Sequence, residues 1–121
     1  MKIIKAILLC VITFGAVSQS SAWAHARLET SMPAKGAQLT SAPADITLKF
    51  NEKLEEGFSA IKVFDAAGHD VGAKKTTLDA ADNAVLRAHL PALKPGIYTV
   101  KWVAVGHDGH RRNGDYSFAV K

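Results

Sequence analysis

Two short groupings in this chain hold residues that could do chemistry. The first is Ala22-Trp23-Ala24-His25, a small-x-small pattern of the kind signal peptidase cleaves. Cleavage after Ala24 makes His25 the first residue of the mature chain, so a free α-amine and an imidazole sit on one residue and can grip a metal as a chelate. The second is Asp108-Gly109-His110, which supplies a carboxylate and a second imidazole. The four donors, three nitrogens and one oxygen, suit copper(II), which tops the divalent affinity order and favours tetragonal nitrogen and oxygen ligands. The amine ordinarily carries a proton near neutral pH, so the metal must displace it.

Residues 1–24 read as a secretory signal. Lys2 and Lys5 form a basic start, and Ala6 to Val17 an apolar stretch too short for a transmembrane helix, which needs about 20 residues. A cut after Ala22 instead would leave Trp23 first and move the amine away from His25. Removing 24 of the 121 residues leaves 97, one small domain spanning 25–121. With Lys2 and Lys5 gone, the net charge falls from +4 to +2, too weak and too scattered to argue for nucleic acid. Cys10, the only cysteine, lies in the signal, so the mature chain has no disulfide and no thiolate ligand and must be held by its core.

Strand alternation dominates the mature chain. Ile46, Leu48 and Phe50; Ile61 and Val63; Leu86, Ala88 and Leu90; Tyr98, Val100 and Trp102; and Tyr116, Phe118 and Val120 each alternate with more polar neighbours. Successive strand side chains point to opposite faces, so each run has one apolar face, and Trp102 is expected in the core. Pro43, Gly68, the polar stretch Asp79–Asn83 and Pro91 to Gly96 punctuate the runs. The pattern predicts an all-β sandwich or barrel. Gly96 to Trp102 resembles a tyrosine corner, in which a tyrosine hydroxyl bonds back to nearby backbone.

On this scaffold Asp108 and His110, two residues apart, are expected on one face of an extended segment, in the link between a strand ending near Ala104 and one beginning near Asp115. His107 would then face the other way unless a turn intervenes. His69 and His89 lack metal-ligand spacing and read as surface histidines. Arg111-Arg112 reads as a solvated pair.

These residues resemble the CopC/PcoC family of periplasmic copper-resistance proteins. The resemblance runs from His25-Ala26-Arg27-Leu28 through Pro43 to Glu52. It is strongest in Gly96 to Trp102 and in Asp108 to Phe118. It implies an all-β, Greek-key β-sandwich or barrel of the cupredoxin/immunoglobulin-like kind, with copper(II) ligands in the His25 amine and imidazole, Asp108 and His110. It also implies that Glu52 lies beside the metal and supports a ligand; His107 is a further candidate for that role. Some members have a methionine-rich loop for copper(I). Met32 is the only methionine after the signal, so no separate copper(I) site is expected. The resemblance implies a periplasmic, non-enzymatic protein of copper homeostasis and resistance, with Cu2+ as cargo and an inner-membrane transporter of the CopD type as partner. Two other readings stay open. A histidine brace also serves copper monooxygenases, although here Asp108 and His110 would fill the plane where oxygen reacts. The strand pattern also fits a metal-free immunoglobulin-like interaction module.

Overall fold

The computed structural model describes residues 26–121, so the expected signal segment and His25 lie outside the described residues. Eight strands follow one another: β1 (Leu28–Met32), β2 (Gln38–Leu39), β3 (Asp45–Phe50), β4 (Ala60–Phe64), β5 (Thr77–Leu78), β6 (Val85–His89), β7 (Gly96–Val105) and β8 (Arg111–Val120). A 3-10 turn, Glu56–Phe58, lies between β3 and β4. No described helix is long and apolar enough to cross a membrane.

The strands form two four-stranded sheets, ordered β1-β3-β6-β5 and β2-β8-β7-β4. The architecture is a β-sandwich, and of the two expected forms the closed barrel is not seen. The apolar members of each run meet between the sheets. Ile46, Leu48, Val63, Leu86, Val100 and Ala104 are fully buried there, with Phe50 and Phe118 all but sealed. Burying a side chain of this size is worth about 1.5–3 kcal/mol, which lets a domain without disulfides hold together. At one end Tyr98 donates to the Lys94 carbonyl at 2.5 Å, making the expected tyrosine corner.

Trp102 departs from the expectation. It is only half-buried, packed edge-on against Phe50 with ring centroids 5.1 Å apart. Its cross-strand partner is Gly114, and a methyl group there would lie 2.5 Å from the indole. The large ring fills the space a side chain at 114 would need, which sets it at the margin of the core.

Strand direction fixes what meets at the other end. β3 ends at Phe50 and leads into Asn51 and Glu52; β7 ends at Val105; β8 begins at Arg111; and β1 begins at Leu28. All four termini lie together. β8 starts four residues earlier than the alternation placed it, because its first residues are polar on both faces and show no apolar pattern.

Candidate metal centre

The β7–β8 hairpin turns through Gly106, His107, Asp108 and Gly109. The Gly109 amide donates to the Gly106 carbonyl at 2.9 Å and the Gly106 amide to the His110 carbonyl at 3.1 Å. Gly109 has φ of +82°, a left-handed conformation that costs glycine little. The segment is therefore a tight turn rather than the extended stretch expected from the i, i+2 spacing. The turn still joins the two side chains. Asp108 Oδ1 accepts the His110 amide at 2.9 Å, and Asp108 Oδ2 lies 3.0 Å from His110 Nδ1. That contact leaves Nε2 as the ring nitrogen not used by the carboxylate. An imidazole oriented through one nitrogen by a carboxylate is well prepared to ligate through the other.

Glu52 reaches the same place from β3. A methyl group at Gly106 would sit 1.7 Å from Glu52 Oε1 and 3.0 Å from Asp108 Oδ1, so both carboxylates crowd one glycine Cα. Only glycine permits this approach. Glu52 Oε1 is buried and accepts no hydrogen bond from any described residue. An acceptor removed from water without a donor is costly, and two carboxylates brought together repel. A cation offsets both terms.

The β3–β4 connection fastens the turn from below. The His107 amide donates to the Lys53 carbonyl at 3.1 Å and the Glu55 amide to the Val105 carbonyl at 2.8 Å. The His107 ring faces Glu55, with Nδ1 3.6 Å from the carboxylate. The start of the described chain is tied to the same corner. The Arg27 amide donates to Asn51 Oδ1 at 2.6 Å, the Asn51 amide to the Arg27 carbonyl at 3.0 Å, and Ala26 is buried.

Asp108 and His110 are thus brought together, with Glu52 against them and His107 beside Glu55. Among the described residues no three metal-ligating side chains form a complete site. The remaining expected donors belong to His25. His69 and His89 are exposed and sit against Asp65 and Asp45, away from this corner. Sequence reasoning missed Gly106, whose role appears only when Glu52 is seen filling its Cβ space, and Asn51, whose tie to Arg27 has no sequence signature.

The CopC domain family matches residues 28–121. The chain belongs to the CopC family. Protein YobA of Escherichia coli K12 is 40% identical over 114 residues, covering 93% of this chain and 91% of that protein. Copper resistance protein C of Pseudomonas syringae pv. tomato is 34% identical, covering 88% and 89%. Copper transport protein CutJ of Bacillus subtilis is 35% identical over 101 residues, which are 83% of this chain but 19% of CutJ. The crystal structure of PcoC, a methionine-rich copper resistance protein from E. coli, superposes with a TM-score of 0.71 at 33% identity, covering 80% of this chain and 99% of PcoC. CopC-family membership agrees with the resemblance read from the sequence, and the single methionine of residues 26–121, Met32, sets this stretch apart from a methionine-rich relative.

Proposed function

We propose that the mature chain is a periplasmic copper(II)-binding protein of copper homeostasis and resistance, and not an enzyme. Cu2+ is its cargo, held by the α-amine and imidazole of His25 with Asp108 and His110. The observation that carries this reading is the corner itself. An imidazole is braced by a carboxylate on a tight turn, a second buried carboxylate oxygen lacks a donor among the described residues, and the chain from Ala26 onward is fastened to the same loop. The Cα of the residue before Ala26 is one step of about 3.8 Å away along the chain. Imidazole and carboxylate donors fit copper(II) by type.

Glu52 then accepts a hydrogen bond from a ligand or balances the metal's charge, and His107 with Glu55 holds the turn. CutJ, named for copper transport, carries a stretch like this chain within a much longer protein. That supports a membrane transporter of the CopD type as the partner that exchanges copper with it. The deciding experiment is a copper titration of processed protein, with mass spectrometry confirming His25 as the first residue. One Cu2+ per chain with a tetragonal, nitrogen-rich EPR signal is expected. Absence of binding, or a tight second site for Cu+, overturns the reading.

A further inference from the structure

The outer faces of the two sheets differ in how their charges are settled. On the β1-β3-β6-β5 sheet, Arg87 holds Asp79 through two contacts, 2.9 and 3.0 Å, and His89 lies on Asp45. On the β2-β8-β7-β4 sheet the opposite holds. Lys62 of β4 and Lys101 of β7 are register partners, both exposed, and so stand directly opposite one another on the outer face. Like charges in that relation destabilise a sheet. Asp115 is the partner of Lys101 on its other side, yet no ion pair joins them. The Lys101 ammonium lies instead over the Phe64 ring, 5.2 Å from its centre. Asp65, which lines the trough beside Phe64, is already engaged by the amides of Ala67 and His69.

The same face is hollowed. A cavity of about 370 Å³ opens between Lys62, Lys101 and Asp115, lined also by Val103, Trp102 and Gly114. A second, of about 510 Å³, shares Phe64 and Lys101 with the first and extends to Ile97. A third, of about 160 Å³, shares Ile97. Ile97 is 60% exposed, a large apolar side chain in open water. The three cavities form one trough across the sheet, with Lys62, Lys101 and Asp115 in the middle and apolar side chains on either side.

We propose that this trough is a docking surface for an extended, acidic segment of a partner protein. Carboxylates of the segment settle on Lys62 and Lys101, and apolar side chains between them cover Val103, Phe64 and Ile97. The charge complementarity is local: two facing ammonium groups for which no described carboxylate serves as counter-ion. The proposal does not depend on copper, since none of these residues belongs to the Asp108–His110 corner.

The test is to pan a random twelve-residue peptide library on the processed protein and on a Lys62→Gln/Lys101→Gln variant, which removes both charges without placing new like charges opposite one another. Peptides enriched in Asp and Glu with interspersed apolar residues are expected from the native protein. Their binding should weaken at least tenfold on the variant, and in a 15N NMR titration their shifts should map to β4 and β7. The variant should melt no lower than the native protein and bind copper equally well, which separates failure of this surface from failure of the metal site. Selection of basic peptides, no selection, or equal binding by both proteins overturns the proposal. So does binding to phosphatidylglycerol vesicles without binding to acidic peptides, which would make a membrane the partner.

Discussion

Two aspartate–histidine contacts stand at opposite ends of this sandwich. At one end His89 and Asp45 are cross-strand partners on β6 and β3. At the other His110 and Asp108 share the β7–β8 turn, 3.0 Å apart. Residue types and proximity are alike, yet only the His110 pair gathers further ligand chemistry around it. His89 and Asp45 lie on the outer face of one sheet, where the next cross-strand pair on the same face is Thr47 and Arg87. His110 and Asp108 lie where four strand ends converge, with Glu52 driven against Gly106 and the start of β1 tied to Asn51. A carboxylate beside an imidazole is an ordinary surface contact; convergence of backbone ends makes it a candidate site.

That contrast is sharpest for the proposed ligands. His110→Ala and Asp108→Ala should each weaken Cu2+ binding by more than ~100-fold, because direct donors outweigh the supporting groups, whose loss costs about 10–100-fold. Isothermal titration on folded variants checks this. An initiator methionine retained before His25 should do comparable damage, since amine and imidazole then belong to different residues. Equal affinity in the extended and processed proteins would remove His25 from the site.

The next largest effect tests convergence. Gly106→Ala forces a methyl group onto the Glu52 carboxylate, so it should weaken copper by about 10-fold or more and destabilise the fold by roughly 1–3 kcal/mol, the usual cost of overpacking. If it binds copper like the native chain, Glu52 plays no part. His89→Ala is the counterpart at the far end and should leave affinity and EPR spectrum unchanged.

Smaller effects concern the scaffold. Tyr98→Phe removes the hydroxyl bond to Lys94 and should cost about 1 kcal/mol in denaturant unfolding without touching copper. Burial pushes the Tyr116 phenol from 10.0 up to about 12, against a lesser opposing influence from Ser31. A folded value above the unfolded one means that its stabilisation is complete below pH 10 and is lost as pH climbs toward 12. Tyr116→Phe should therefore show a flatter stability curve than the native protein over that alkaline window.

Much of this was legible in the sequence, for specific reasons. Ile46–Phe50, Leu86–Ala88, Tyr98–Val100 and Tyr116–Val120 alternate because one face of each is buried, so burial wrote the strands into the chain. β2 and β5, two residues each, and the polar start of β8 bury too little to leave a period. Asp108 and His110 were visible by type and spacing, but Gly109 alone did not announce the turn that joins them. Gly106 was silent, because what it makes room for comes from residue 52.

Gly114 has a consequence of a different kind. Because Gly114 has no side chain, the Trp102 indole occupies the space beside it and rests edge-on against Phe50, the last residue before Asn51 and Glu52. Trp102 is the one indole after residue 24. Its emission should therefore dim as copper fills the corner beyond Phe50. The domain carries its own optical probe for that corner, and no label is needed.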